Sequence, residues 1–217
     1  GNSKNTTTTG INNNGIVSVD RTDGTDKGGI GLYVNYGYLN NKVTGIVNVE
    51  KGTVNGPNKQ GIGIYGTNST NIINEGKVNA GGEKSIGILG LSYRIDPSTG
   101  LPIDPVNEPY KAATTSFGIV NVTNETTGEI TMDNDAAVGI FIKNNSIDKD
   151  LSGNYAVAVP NRKTKLDTKA VNKGKVTING SNNSVAMGAN NGIITNDTTG
   201  KITVNGTKSA GMYGTNE

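Results

Sequence analysis

The sequence predicts an all-β fold, a three-sided parallel β-solenoid of about six rungs, and two observations carry that prediction. A short glycine-anchored unit recurs in degraded copies along the 217 residues, and such a unit must stack on its neighbours to bury a core. The composition agrees, because 32 glycines with 32% hydrophobic and 5% aromatic residues suit a thin, one-dimensional core better than one large globular core.

Two glycine positions define the repeated unit. The first opens a step of the form G-x-[VI], and the second opens a G-x-x step, with alanine in one copy. The first set is Gly15, Gly52, Gly76, Gly128, Gly174 and Gly200, and the second set is Gly31, Gly63, Gly87, Gly139, Ala186 and Gly211. In four copies the two positions are 11 residues apart. The spacing predicts rungs of 24–26 residues, each paired in parallel with the next.

An asparagine-ended step precedes the first glycine in most copies, by either two or four residues. These asparagines are Asn48, Asn74, Asn124, Asn172 and Asn196. Asparagine and glycine both tolerate left-handed backbone geometry, so this pairing is typical of a tight turn. The pattern therefore predicts a corner between two strands of each rung.

Strand alternation around the second glycine predicts which side chains face inwards. The predicted interior stack is Ile30 and Leu32, Ile62 and Ile64, Ile86 and Ile88, Val138 and Ile140, Val185 and Met187, and Ala210 and Met212. The outer face then carries the glycine row and, beside it, Tyr33, Tyr65, Leu89, Phe141, Gly188 and Tyr213. This outer row is either a binding strip for a sugar or an extended peptide or a packing ladder between equivalent strands.

Residues 1–10 are predicted to be disordered or a cap, and residues 11–217 are predicted to form the solenoid. Two insertions, at about 92–115 and 145–167, interrupt its repeat. Each insertion is either a long excursion or a decayed extra rung. Excursions lie on the outside of a solenoid and often carry recognition, so they supply most candidate ligand-binding residues. The candidates are Tyr93, Arg94, Tyr110, Arg162 and Lys163 from the insertions, with Tyr65 and Phe141 from the outer row.

The residue types present exclude most catalytic templates. The chain has no cysteine and no histidine, which removes thiolate chemistry, the commonest general base and the commonest metal ligand. The 18 acidic residues fall at different phases of the repeat, so no carboxylate pair is predicted on one strand face. We predict a non-enzymatic protein without catalytic residues, metal or cofactor. The alternative is a β-helix enzyme acting on polysaccharides, a class in which paired carboxylates do the acid–base work.

Three local motifs have competing interpretations. Gly61–Gly66 matches the dinucleotide-binding form G-x-G-x-x-G, but no helical period follows, so the repeat explains its glycines. The three aspartates of residues 20–26 and the pair in Asp133–Asp135 could hold calcium. A solvated loop and a corner turn are favoured for them, because the stacked calcium repeat is missing. The basic run Arg162–Lys175 lacks interleaved aromatic residues, which favours a solvated face or contact with an acidic glycan over nucleic acid.

The chain contains no signal for membrane insertion or secretion. No run approaches the roughly 18 apolar residues of a membrane span, and residues 1–10 lack the apolar core of a signal peptide. The sequence therefore predicts either a chain whose signal has been removed or an internal or N-proximal piece of something longer.

The repeats GKITVNGTKSAGMYGTN and GTVNGPNKQGIGIYGTN resemble the passenger regions of very large autotransporter adhesins of fusobacteria, the RadD-like family. The resemblance covers nearly the whole chain outside the insertions. It implies a right-handed parallel β-helix, exported through the periplasm and an outer-membrane barrel far downstream. It also implies a virulence-related role at the cell surface, in attachment to host cells or other bacteria through a surface protein or glycan. We expect a monomer.

One segment departs from this family. Asn183–Gly188, with the sequence NSVAMG, resembles the head repeat of trimeric autotransporter adhesins, which form a left-handed β-roll. That architecture is the alternative, and a pure spacer without binding function is a third interpretation.

Overall fold

The chain folds as an all-β, three-sided parallel solenoid, which a computed structural model describes for residues 10–19, 29–49, 60–92, 94–95, 116–117, 119–144 and 168–215. None of these residues is helical. The strands are β1 (Gly10–Asn13), β2 (Ile16–Val19), β3 (Ile30–Asn41), β4 (Ile46–Val49), β5 (Ile62–Asn74), β6 (Lys77–Ala80), β7 (Ile86–Ser92), β8 (Arg94–Ile95), β9 (Ser116–Phe117), β10 (Val120–Asn124), β11 (Glu129–Met132), β12 (Val138–Asn144), β13 (Lys169–Asn172), β14 (Lys175–Ile178), β15 (Val185–Asn190), β16 (Ile193–Asn196), β17 (Lys201–Val204) and β18 (Ala210–Thr215). The fold class predicted from the repeat is confirmed.

Six rungs follow one another in chain order, and each gives one strand to each side. The asparagine side contains β1, the ends of β3 and β5, β10, β13 and β16. The valine side contains β2, β4, β6, β11, β14 and β17. The glycine side contains the starts of β3 and β5, β7, β12, β15 and β18. Because β3 and β5 run through two sides, the glycine and asparagine sides form one ten-stranded sheet.

Three corners join these sides. Corner 1 leads from the asparagine side to the valine side, corner 2 from the valine side to the glycine side, and corner 3 from the glycine side to the next rung. The strands between them are short runs rich in isoleucine and valine, the residues that fit a pleated, half-buried surface. Asparagine and glycine at their ends stop each run at a turn.

The strand register corrects one position of the repeat. Ile46 pairs with Lys77, and the Lys77 N–H donates to the Gly45 carbonyl at 2.9 Å, so Gly45 is the counterpart of Gly76. The prediction that Gly52 takes this position is wrong, and Gly52 itself lies outside the described residues. Its motif GTVNG is similar in sequence to GIVNV, which begins at Gly45. Only the pairing between rungs shows which of the two motifs forms the strand of the valine side.

The corner asparagine of that rung shifts in the same way, from Asn48 to Asn41. Asn48 lies in β4 and accepts a hydrogen bond from Asn79 at 2.9 Å on the outer face, whereas Asn41 is fully buried at corner 1. The prediction for Asn48 is therefore wrong. Rungs are 24–26 residues long where no corner carries added chain. The connections at residues 20–28 and 50–59 lengthen the first two rungs.

Corner 1 encloses a ladder of asparagine side chains that is buried in every rung except the sixth. The Nδ2 of each asparagine donates to the Oδ1 of its counterpart in the next rung at 2.7–2.9 Å. The ladder consists of Asn13, Asn41, Asn74, Asn124, Asn172 and Asn196. The corner glycine packs against it, since a Cβ at Gly128 would lie 2.2 Å from Asn124 Oδ1. The ladder satisfies the buried amides, and its close packing explains the glycine beside it.

The core is a column of aliphatic side chains between the three sides. The valine side contributes Val47, Val78, Ile130 and Val176, the asparagine side Leu39, Ile72, Val122 and Ala170, and the glycine side Ile64, Ile88, Ile140 and Met187, all at most 1% exposed. Fully burying one such large aliphatic side chain stabilises the fold by about 1.5–3 kcal/mol before conformational entropy is subtracted. Each rung depends on its neighbours for this burial.

The predicted phase of the glycine side is partly wrong. Ile64 and its counterparts face the core, but Ile62 is half-buried and Ile30 is 42% exposed. The glycines predicted to face outwards face inwards instead, because a Cβ at Gly63 would lie 2.5 Å from Val78 Cγ1. The paired residues are Ile62 and then Ile64, so the glycine between them is skipped in the register. Gly63 and Ile64, two consecutive residues, therefore both point inwards. The facing side chain therefore leaves no room for a Cβ at Gly63, and the fifth rung alone carries alanine, Ala186, at the equivalent position.

The two insertions are excursions and not decayed rungs. β10 pairs directly with both β5 and β13, and β12 pairs directly with both β7 and β15. No rung therefore lies between these neighbours. The first excursion leaves after β7 and the second after β12, both at corner 3. β8 and β9 form an antiparallel pair near the base of the first, and most other residues of both lie outside the described residues.

Candidate functional site

The outer row of the glycine side is one continuous column. Cross-rung pairing joins its members in the order Tyr33, Tyr65, Leu89, Phe141, Gly188 and Tyr213. We call this set the outer column. Its order matches the sequence prediction, although the glycine row beside it points into the core.

Exposure along the outer column is greatest at its two ends. Tyr33 is 50% exposed and Tyr213 is 55% exposed, whereas Leu89 is only 8% exposed. Tyr33 and Tyr65 pack as a tilted pair, with ring centroids 5.1 Å apart and planes 36° apart. Packing of this kind stabilises neighbouring strands, and the outer ring faces of the end residues remain available to a ligand.

Phe141 has a packing role in this column. A Cβ at Gly188 would lie 2.8 Å from Phe141 Cδ2, so the phenyl ring lies over the glycine of the next rung. The glycine at 188, which breaks the aromatic sequence of the column, therefore makes room for this ring. For Phe141 the packing interpretation is supported by contact, and the binding interpretation stays a prediction.

The roots of the two insertions meet at corner 3. Ser92 ends β7 and pairs across the rungs with Asn144, which ends β12. The Ser92 hydroxyl contacts that of Thr168, the residue before β13, and accepts a hydrogen bond from the Val120 N–H at 3.1 Å. Ser92, Asn144 and Thr168 are at most 5% exposed. The start of the first insertion thus lies against both the start and the end of the second.

The predicted site residues divide between this corner and the outer column. Tyr65 and Phe141 belong to the column, and Arg94 lies in β8, opposite Phe117. The other predicted residues, Tyr93, Tyr110, Arg162 and Lys163, lie outside the described residues. Leu89 and Phe141 precede the insertion roots by three residues, which is about 10 Å along a strand. The column and the roots therefore lie on the same two strands, β7 and β12.

Sequence reasoning missed the buried hydroxyls at the insertion roots. Ser92 and Thr168 carry no motif, and they are 76 residues apart in the chain. The available signal was positional: each is the last or first residue of the repeat beside an insertion. Counting the repeat inwards from both sides would have placed them at consecutive copies of corner 3, on either side of the fourth rung.

The aspartates of corner 2 serve as turn anchors. Asp135 Oδ1 accepts hydrogen bonds from the backbone N–H groups of Ser181 and Asn182 in the next rung. The Asn182 side-chain amide, and then these backbone groups, lower the pKa of Asp135 below its ordinary value of 3.8. Asp133 accepts a bond from Asn179 at 2.9 Å. Within the described part of the chain, no three acidic residues group as metal ligands, and residues 20–26 lie outside that part.

The basic run does not form one patch where it is described. Lys173 pairs with Glu125 at 3.2 Å, Lys169 is exposed on the asparagine side, and Lys175 is exposed on the valine side beside Lys201. The start of the run, from residue 162 to residue 167, lies outside the described residues. The predicted contact with an acidic glycan stays a prediction.

Comparison with protein-family models, curated proteins and solved structures gave no match. Among the described residues there is no helix long and apolar enough to cross a membrane. The class of protein that the fold defines is thus a parallel β-solenoid with two insertions at one corner.

Proposed function

We propose that this chain is part of the passenger region of a bacterial surface adhesin, a non-enzymatic scaffold that presents its two insertions to a surface protein or glycan of a host cell or another bacterium. One observation carries the proposal: the insertions leave neighbouring rungs at the same corner, and their roots are in contact through Ser92 and Thr168. Two loops that start side by side can contact one ligand together.

The contrast between scaffold and insertions supports a recognition role. The rungs are closed by parallel pairing, a filled core and a buried asparagine ladder, so they hold their shape without a ligand. Loops on a rigid scaffold are the common location of binding residues. The outer column lies on the same side of the solenoid as the strands that lead into the insertions and has exposed aromatic rings at Tyr33 and Tyr213, and such rings suit a sugar ring or an extended peptide.

The sequence resemblance supports the wider assignment. The repeats resemble passenger regions of RadD-like autotransporter adhesins, and such a passenger would be exported through the periplasm and located at the cell surface, outside the outer membrane. On this proposal the chain acts as a monomer and needs no cofactor. The trimeric head gains no support from the described contacts, because Val185–Gly188 pairs as part of an ordinary glycine-side strand in the fifth rung.

Excising the insertions tests the proposal. Removing residues 93–118 leaves Ser92, Ile119 and Val120 at corner 3, which matches the three-residue connection at residues 68–70 of the preceding rung. Removing residues 145–167 leaves Asn144 and Thr168, which matches the two-residue connection at 191–192. Both variants keep every rung, so far-ultraviolet circular dichroism serves as the folding control.

We expect the doubly excised chain to lose binding to host cells and to partner bacteria in a flow-cytometry assay, with its β-sheet spectrum retained. A folded excised chain that binds as well as the intact chain would refute recognition by the insertions and favour a spacer. Replacing Tyr65 and Phe141 by serine tests the outer column in the same assay. Turnover of acidic or neutral glycans by the intact chain would contradict the non-enzymatic assignment.

A further inference from the structure

Corner 1 occurs in two lengths that alternate along the solenoid. The short form has one residue between the ladder asparagine and the glycine, as in Asn74–Gly76, and the long form has three, as in Asn124–Gly128. From the first rung to the sixth the order is short, long, short, long, short, long. Neighbouring corners therefore always differ in length.

Each long corner is joined to the short corner before it by a threonine hydroxyl. The acceptor is always the carbonyl of the single residue between the asparagine and the glycine of the short form. The three bonds run from Thr44 to Asn14, from Thr127 to Glu75 and from Thr199 to Lys173, at 2.7–2.8 Å. This contact requires a short corner beneath a long one.

A short corner is joined to the long corner before it by its backbone. In the third rung the N–H groups of Glu75 and Gly76 both donate to the Asn41 carbonyl, at 2.8 and 3.0 Å. The equivalent groups of Lys173 and Gly174 in the fifth rung donate to the carbonyl of the ladder asparagine below them, at 2.7 and 3.2 Å. The ladder asparagine of each inner long corner thus receives two backbone bonds from the next rung.

Opposite charges accompany these backbone bonds. Lys42, the first residue of a long corner, pairs with Glu75 of the next short corner at 3.3 Å. Glu125 occupies the same position in the fourth rung and pairs with Lys173 at 3.2 Å. The signs of the two pairs are reversed, so in both pairs the short corner carries the charge opposite to that of the long corner before it.

The sixth rung presents the long form at its outer edge. Asp197 holds the position of Lys42 and Glu125, and no strand among the described residues pairs with the outer edge of β16, β17 or β18. Core positions are open there as well, since Met212 is 43% exposed while its counterpart Met187 is fully buried. This edge therefore has backbone, apolar and charged groups in the arrangement that an inner long rung offers to its neighbour.

We propose that the edge of β16–β18 binds one further solenoid rung by parallel strand addition, and that this rung carries a short corner 1 of the form asparagine–basic residue–glycine. Strand addition supplies main-chain hydrogen bonds, and side-chain positions supply specificity. Here the short form matches the long corner of the sixth rung, and the basic residue pairs with Asp197. The Asn196 carbonyl accepts the two backbone bonds.

Appending a rung to the intact chain tests this proposal. A copy of residues 169–190 placed after Glu217 brings the short corner Asn172–Gly174, with residues 216–217 spanning corner 3 as residues 191–192 do in the chain itself. We expect amide hydrogen exchange in residues 193–215 to slow by about tenfold or more, because edge strands become inner strands. Lys173→Glu in the appended copy alone should reduce that protection by about twofold to fivefold, and adding Asp197→Lys should restore it.

A copy of residues 121–144, which carries the long corner, is the matched control and should protect these strands less. Equal protection by the two copies would overturn the requirement for a short corner, and indifference to charge reversal would overturn the requirement for a basic residue. A contrary result would be that the chain without an appended rung forms dimers in sedimentation and shows amide protection of residues 193–215 that rises with its concentration. That result would mean that a second copy of the chain binds the edge of β16–β18, and it would overturn the proposal.

Discussion

Corner 1 and corner 3 belong to the same six rungs, yet they follow opposite rules. Corner 1 has two lengths only and encloses a ladder of asparagines, buried in the first five rungs, with bonds of 2.7–2.9 Å between all neighbours. Corner 3 ranges from a two-residue connection at 191–192 to the excursions at 93–118 and 145–167. One corner holds its length within narrow limits, and the other accepts added chain.

The difference has a physical reason in the groups buried at each corner. An insertion at corner 1 would displace an asparagine that bonds to both neighbouring rungs, and each buried partner left without a bond costs free energy. At corner 3 the roots are held by hydroxyl contacts of Ser92 and Thr168, which lie before and after the added chain. The first insertion begins after Ser92 and the second ends before Thr168, so neither insertion separates these two hydroxyls. Corner 3 can therefore carry long loops, because no ladder is interrupted there.

Breaking the ladder should have the largest effect. Asn124→Ala removes the bond from Asn74 at 2.7 Å and the bond to Asn172 at 2.8 Å, so the Asn74 Nδ2 loses this acceptor and the Asn172 Oδ1 loses this donor inside the corner. We expect the free energy of unfolding to fall by about 3 kcal/mol, within the range for two unsatisfied groups, in urea denaturation. Asn121→Ala on the exposed face of the same strand is the control. Equal losses in the two variants would contradict the special role of corner 1.

Breaking the root contact at corner 3 should have a smaller effect. Ser92→Ala leaves the buried Val120 N–H without its 3.1 Å acceptor and removes the contact with Thr168. The expected loss is about 1–2 kcal/mol, for one unsatisfied backbone group, measured in the same denaturation series. Ser18→Ala, on the outer face of β2, should change little. A loss as large as that of Asn124→Ala would show that both corners are held equally strongly.

Corner 2 offers a stabilising change that leaves the hydrogen bonds of both other corners intact. Ala136 has a φ of 53°, a left-handed conformation that glycine adopts without the steric cost of a Cβ. Ala136→Gly should therefore stabilise the fold by up to about 1 kcal/mol after the entropy lost by glycine is subtracted. The buried neighbour provides the control, since Ala137→Gly should destabilise. A lower melting temperature for Ala136→Gly would refute the strain argument.

Asp135 gives corner 2 a pH dependence, the smallest of these effects. Its pKa is lowered in the folded chain by hydrogen bonds from Asn182 and Ser181. The stabilisation is therefore fully present above the ordinary pKa of 3.8 and is lost as the pH falls through the lower folded value. Asp135→Asn should remove this part of the pH dependence of the melting temperature. Parallel curves for the two proteins across the acidic range would count against it.

Much of the fold could be predicted from the sequence, because the repeat obeys local rules. Glycine and asparagine end each strand, and isoleucine or valine lies between them, so strands, corners and six rungs follow from the sequence pattern. The candidate site was predictable in part. Tyr65 and Phe141 were found from their period, whereas Ser92 and Thr168 come together only because the rungs stack in register across both insertions.

The sequence by itself therefore determined the class of fold, the number of rungs and the order of the outer column. Tertiary structure alone decided the register that selects Gly45 over Gly52, the inward direction of Gly63 and the meeting of both insertions at corner 3. The physical reason is the range of the interactions involved. Turn and strand preferences act between neighbours in the chain, whereas register, core space and corner contacts depend on residues one rung away.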